Sequence, residues 1–253
     1  MKKILYLIIL SFFISFSANA SDESNENLKD CWKGFNKATF ALNQTLDGIL
    51  FEPIARGYRY LPSGIRYGTS NMVSNISNLV TIPNNLLQGD FKAAINNSMR
   101  LIVNTTLGIV GIFDVASSLG LEQLDREDYG QTLASWGMES GCYIVLPILG
   151  PSTARDAVGH AINFLGGDPW YNITSKNDTR YFKDSDYFFS KMTDGVDFRA
   201  KNIEAFDSIE KNSVDFYASV KSLYLQDRAR KISNSGVITD AMDDSDWEDI
   251  EIK

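Results

Sequence analysis

The stretch Gly137-Met-Glu-Ser-Gly-Cys-Tyr-Ile-Val-Leu-Pro-Ile-Leu-Gly-Pro-Ser-Thr-Ala-Arg-Asp-Ala-Val-Gly159 holds an unbroken apolar run, Tyr143 to Leu149, at its centre. Gly137, Gly141, Gly150 and Pro151 bracket the run and Pro147 interrupts it. A helix that crosses a bilayer needs about 20 apolar residues, so this run is far too short. Pro147 cannot donate to a ladder, which argues against a central strand. The remaining reading is a short, kinked apolar hairpin (Tyr143, Ile144, Val145, Leu146, Pro147, Ile148, Leu149) that lies against a core or against lipid. Gly137, Gly141 and Gly150 are its candidate hinges.

On either side of the hairpin the pattern is helical. Phe35, Ala38, Leu42, Leu46 and Leu50 recur at helical spacing. Asp90 is placed to cap a second helix, in which Phe91, Ala94, Ile95, Met99, Ile102 and Val103 form a stripe expected to face a core, with Gly108 able to end it. Thr106 to Val115 reads as an apolar turn punctuated by glycine, and Glu122 to Gln131 as a polar segment. After the hairpin a helix is expected from Ser152 to about Asn163, capped by Ser152 and with Asp156 in its first turns. Asp168-Pro169-Trp170-Tyr171 is turn-like. Helical pattern returns from Tyr187 to Lys231 through Val196, Ala200, Ile203, Phe206 and Ile209, with a break near Asn212 and then Val214, Tyr217, Ala218, Val220, Leu223 and Tyr224. Strand-type alternation is scarce, so the chain should be mainly α.

The 253 residues, 44% hydrophobic and 22% charged, have a globular composition. Lys2 and Lys3, the apolar Ile4 to Phe16 and Ala18-Asn19-Ala20 have the order of a secretory signal, giving residues 1–20 as a leader and 21–29 as a polar linker. No cysteine directly follows the apolar region, so a lipid-modified N-terminus is not expected. Loss of the leader makes the mature chain two charges more negative than the formal −8. No Lys/Arg cluster offers a nucleic-acid surface, and anionic membrane surfaces would repel the chain. Membrane attachment must therefore come from apolar insertion or a partner. Asp240 to Lys253 carries seven acids and one lysine, so 233–253 reads as an acidic disordered tail.

Enzymatic constellations are thin. Gly150-Pro-Ser152-Thr-Ala154 resembles a nucleophile elbow with alanine in its last place. The one histidine, His160, is only eight residues on, whereas the elbow needs a histidine far downstream. Ser152 as a plain cap and His160 as an ordinary helix residue are the better readings. One histidine and two distant cysteines cannot supply a zinc site, and no phosphate-binding glycine loop occurs. Asn75, Asn104 and Asn172 begin Asn-x-Ser/Thr triplets of the kind that an Asn-rich chain produces by chance. No cofactor is expected, and nothing points to an enzyme. Cys31 and Cys142, both in the exported part, are either one disulfide or two separate buried thiols.

Six stretches, in order, resemble the MlaA (VacJ) family of Gram-negative outer-membrane proteins: Trp32 to Phe40, Pro53 to Tyr60, Leu86 to Asp90, Val103 to Ala116, Asp128 to Leu133 and the opening segment. The resemblance runs from about Asp30 to Gly159 and more loosely to Lys231, giving a helical domain over 30–232. It implies an all-α, ring-like single domain in the inner leaflet of the outer membrane, on its periplasmic face, with an amphipathic central channel. It implies a function as well: removing phospholipid that has strayed into the outer leaflet and passing it to a periplasmic carrier, MlaC, in company with a trimeric porin. Exposing two acyl chains of roughly 30 methylenes would cost on the order of 24 kcal/mol, so such a lipid needs a sheltered path rather than a catalyst. The Tyr143 to Leu149 hairpin would flank that path. A structural envelope protein that carries no lipid is the alternative. The chain departs from the family in lacking the lipobox cysteine. It also has Cys31 and Cys142 where the family usually has two prolines, which favours a disulfide between them.

Overall fold

Asp90, Asp114, Asp128, Asp168 and Asp215 each accept a backbone N–H from the helix they precede, and these caps punctuate much of the chain. In the computed structural model, which describes residues 28–176 and 182–233, helices α1 (Lys33–Leu46) and α2 (Glu52–Tyr58) are joined through a π-helical turn at Asp47–Phe51. The long α3 (Ser63–Gln88) carries Pro83 inside it and stops at Gly89, whose φ of 82° is a left-handed cap. Asp90 then starts α4 (Phe91–Thr106), which packs back along α3. The sequence pattern did not reveal α3, because its face carries Asn75, Thr81, Asn84 and Asn85 where a soluble helix would carry leucines.

The short α5 (Val115–Ser118) and α6 (Tyr129–Ser135) lead to β1 (Tyr143–Leu146) and β2 (Gly150–Thr153). Helices α7 (Ala154–Ile162), α8 (Pro169–Tyr171), α9 (Asp184–Lys201), α10 (Ile203–Asn212) and α11 (Phe216–Ile232) follow. The break expected near Asn212 is the end of α10. Helix α1 packs on β1, α6 on α7, α9 on α2 and α3, and α11 on α6 and β2. Among the described residues the regular structure is helical apart from this one two-stranded sheet. Among the described residues no helix is long and apolar enough to cross a membrane.

Three sequence expectations need correction. The Tyr143 to Leu149 run does contain a strand, antiparallel to β2 with Tyr143 opposite Thr153 and Leu146 opposite Gly150. Pro147 falls just beyond it, in the turn, where no ladder donor is required. Second, helix α7 starts two residues later than expected. Its cap is Thr153, whose Oγ1 accepts the Asp156 N–H at 3.1 Å, while Ser152 lies buried in β2 and its hydroxyl donates to the Thr153 carbonyl.

The third correction concerns the stripe on α4. Phe91, Ile95, Met99 and Ile102 face outward, 48–64% exposed, while Ala94 of the same stripe is buried and Val103 is half-buried. Asn97, Arg100 and Asn104 on the same helix are buried instead. On α1 likewise, Phe35 and Leu42 are exposed while Asn36 and Thr39 are buried. Across the described residues, buried polar and charged side chains outnumber buried apolar ones. The side chains satisfy each other inside: Asn97 donates to Asn85, Thr132 to Asn84, and Arg100 to Asp114 at 2.8 Å. On α1 and α4 the polar face is turned inward and the apolar face outward.

Candidate lipid-contact site

The hairpin is fastened at its root. Cys142 is bonded to Cys31, with Cα atoms 5.7 Å apart, so the two cysteines are one disulfide. Beside it the Tyr143 N–H donates to the Lys29 carbonyl. Tyr143 and Val145 are fully buried and pack with Tyr217 and Leu225 of α11, with Phe40 of α1 edge-on to Tyr217. Asp30 accepts from Asn36 and from the Tyr217 hydroxyl, both at 2.6 Å. Burial, and then Asp30, push the Tyr217 phenol upward, so it remains a donor.

Helix α1 takes the place of a third strand along the outer edge of β1. The Asn36 amide donates to the Tyr143 carbonyl and accepts the Val145 N–H, both at 3.0 Å. One heptad on, and so on the same face, Asn43 donates to the Leu146 carbonyl at 2.9 Å and accepts the Ile148 N–H at 2.7 Å. A primary amide offers a donor and an acceptor side by side, as a peptide does, so two of them blunt an edge that would otherwise be open to pairing.

The hairpin residues divide by exposure. Tyr143 and Val145 point in, Ile144 and Leu146 are half-buried, and Ile148 (70%) and Leu149 (50%) stand exposed at the tip. Gly137, Gly141 and Gly150 all have φ between 68° and 87°, a region that favours glycine. Gly137 closes α6, with the Met138 N–H reaching the Leu133 carbonyl. Ile148 also has a positive φ, 67°, although it is β-branched. Among the described residues the other non-glycine residues in that region are Ile109 and Val110, in the apolar turn after α4, and they too are exposed.

Behind the hairpin, Arg228 of α11 bonds Asp128 at the start of α6 and Asp156 in the first turn of α7, both bidentately, at 2.6–3.0 Å. Burial works to raise the Asp128 carboxyl, but the Arg228 hydrogen bonds and charge hold it down at about 2. Tyr224 donates to Asp156 at 2.5 Å. Helices α6 and α7 meet where a side chain on Gly159 would strike the backbone of Gly130. His160 is half-buried on α7, and that burial pushes its imidazole down despite Asp128 and Asp156. The residues at positions 36, 43 and 228 are missed by sequence reasoning, and Asp156 is read only as a residue of the helix's first turns. Their signal was the polar face of each helix, taken as the solvent side.

Among the described residues no group of three metal-ligating side chains comes together. A small polar cleft between α3 and α9 is lined by Val73, Ile76, Ser77, Ser190, Lys191 and Asp194. The outward apolar side chains of α4, of the turn that follows (Leu107, Ile109, Val110, Phe113) and of the hairpin tip are left uncovered, and large exposed apolar surface marks an interaction or membrane site.

Comparison with known proteins agrees with this geometry. A family model described as MlaA lipoprotein matches residues 28–231. An uncharacterized protein of Rickettsia typhi is 35% identical over 232 residues, 87% of this chain and 89% of that one. The intermembrane phospholipid transport system lipoprotein MlaA of Escherichia coli K12 is 29% identical over 241 residues, 93% of this chain and 91% of its own. Its namesake from Haemophilus influenzae is 27% identical over 254 residues, covering 94% and 93%. A solved structure described as the structural basis for maintenance of bacterial outer membrane lipid asymmetry superposes with a TM-score of 0.67 at 29% identity, over 81% of this chain and 100% of that one. With the family model matching most of its length, this chain belongs to the MlaA lipoprotein family.

Proposed function

We propose that this protein is a non-enzymatic component of the outer-membrane lipid-asymmetry system. It takes phospholipid that has strayed into the outer leaflet and hands it to a soluble, MlaC-like periplasmic carrier, acting beside a trimeric porin. The observation that carries the proposal is the inverted polarity of the fold, with apolar side chains outward on α1, α4 and the hairpin tip around an asparagine-rich interior. Fully burying a Leu, Ile or Phe side chain is worth about 1.5–3 kcal/mol, so so many left uncovered call for an apolar surrounding. The inner leaflet of the outer membrane supplies it, without need of an acyl anchor or a cofactor.

On this reading the helices enclose an amphipathic passage for the lipid. Tyr143 to Leu149 flanks it, and Gly137, Gly141 and Gly150 give the flank its freedom. Residues 30–232 form the working domain, exported by the leader and followed by an acidic tail. Burial of Ser152 at 0% exposure, with its hydroxyl spent on a backbone carbonyl, fits a protein that does no acyl-transfer chemistry.

Deleting the gene and measuring outer-leaflet phospholipid by surface labelling tests the proposal. Phospholipid should accumulate and detergent sensitivity rise, and both should be reversed by the wild-type chain and equally by Ser152→Ala. Crosslinking should recover a trimeric porin. An intact barrier, with no phospholipid accumulating and no porin recovered, would assign the protein to envelope structure instead.

A further inference from the structure

The fold brings Lys221 of α11 to Lys29, Lys33 and Lys37 around the start of α1. The Lys221 ammonium donates to the Leu28 carbonyl at 2.7 Å, one residue from Lys29, whose own carbonyl accepts the Tyr143 N–H. Lys221 also lies over the Tyr143 ring, 5.2 Å from its centre, and Lys37 over the Tyr217 ring at 5.7 Å. Those two rings are neighbours, 6.0 Å apart. Lys33 is one turn before Lys37 and shares its face of α1. Lys29, Lys33 and Lys37 are exposed, and Lys221 is half-buried.

These cations are uncompensated. The arginines of α2, α4, α9 and α11 all meet carboxylates. Among the described residues the lysines in ion pairs are Lys191, Lys201 and Lys231, so none of these four is in one. Asp30, the acid that lies among them, spends its two oxygens on Asn36 and the Tyr217 hydroxyl. The formal charge of −8 predicts repulsion from an anionic surface, but here the local sign is reversed.

Helix α1 also has the build of a helix that lies in a membrane interface. Its outward Phe35 and Leu42 stand roughly 140–180° around the axis from Lys33 and Lys37. Trp32, whose side chain type favours the headgroup level, precedes the helix and is exposed. Such helices put the apolar face among acyl chains and the lysines among headgroups. A bilayer is the partner that offers acyl chains and phosphates together.

We propose that Lys29, Lys33, Lys37 and Lys221 form a binding surface for the phosphates of anionic phospholipid, which seats α1 at the headgroups of the leaflet that its apolar face enters. This rests on the membrane placement proposed above and adds the headgroup charge that the protein selects.

The test is flotation of the full chain, diluted from detergent, with vesicles of phosphatidylcholine alone or with added phosphatidylglycerol. Wild type should bind the phosphatidylglycerol vesicles about tenfold more tightly at low salt, and the advantage should fade in about 0.5 M salt. Lys33→Gln with Lys37→Gln should lose about fivefold for each lysine on the anionic vesicles and nothing on the neutral ones. Lys33→Arg with Lys37→Arg should keep the preference. Lys183→Gln with Lys211→Gln, an equal change of net charge on α10 and before α9, should keep it too. An equal loss in both glutamine pairs overturns the lysine surface and leaves the membrane placement standing, as does wild type that floats with no regard to phosphatidylglycerol. Wild type that floats with neither vesicle overturns that placement, and this surface with it. If phosphatidylglycerol binds only after residues 234–253 are removed, the lysines serve the chain's own acidic segment, which also overturns the proposal.

Discussion

Arg228 is buried at 8% exposure and neutralised by two aspartates, and it sits where α6, α7 and α11 meet. Removing one partner of a buried charge set leaves the others uncompensated, so Arg228→Ala should cost about 3–5 kcal/mol, read from denaturant midpoints in detergent. Arg228→Lys should recover only part of this, because a lysine cannot serve two carboxylates bidentately. Acid should loosen the same contact. Asp128 is held at about 2, below its ordinary 3.8. Its contribution is complete above the unfolded value and is lost as pH falls through about 2. Neighbouring Glu127 behaves in the opposite sense. Burial lifts it to about 7, against a hydrogen bond from Gln88, so the folded state keeps a proton that the unfolded chain gives up near 4.5. Stability from this group is therefore greatest below 4.5 and falls as pH rises to 7. Glu127→Gln should flatten that slope, measured as the urea midpoint against pH.

Helix α4 shows what a periodic pattern tells and what it omits. Its existence, its Asp90 cap and its apolar stripe were legible, since spacing and caps depend only on helix geometry. The direction of the stripe was not legible, because periodicity separates two faces without saying which one meets the surroundings. In water the apolar face goes inward, and in lipid it need not. The buried Asn97 and Arg100 have partners on α3 and α5 or beyond it, at Asn85, Ser117 and Leu121, contacts that no local pattern encodes. Ile102→Asp should accordingly shift folding stability in detergent by no more than about 0.5 kcal/mol, as for any exposed site. The same change should weaken partition into lipid vesicles by on the order of 2 kcal/mol, measured by flotation. A large loss of stability in detergent would instead place the stripe in a core.

At the scale of the whole molecule, the cysteine pair was legible from the even count of cysteines in a chain read as exported, and more sharply from the absence of the family's usual prolines at positions 31 and 142. Its partners along the β1 edge were not, since Asn36 and Asn43 carry no hydrophobic signal. The bond closes a separation of 111 residues and spans the first half of the fold. In the chain-entropy account, Cys31→Ser with Cys142→Ser should lower stability by about 4–5 kcal/mol, seen as a fall in denaturant midpoint. This crosslink is the one disulfide in a fold whose helices otherwise meet through small apolar clusters, amides and ion pairs.

That tie also bears on how the chain matures. With only two cysteines in the sequence there is a single intramolecular pairing, so no shuffled isomer exists and an isomerase has nothing to correct. An oxidant alone completes the intramolecular bond, and among products of this chain with itself the wrong one is a dimer bridged between two copies. On the proposed route, an exported chain would bring Cys31 out of the channel well before Cys142, so for that interval it would be an unpaired thiol. Crowding or slow oxidation during export would then register first as disulfide-linked dimers, visible on a non-reducing gel, rather than as misfolded monomer.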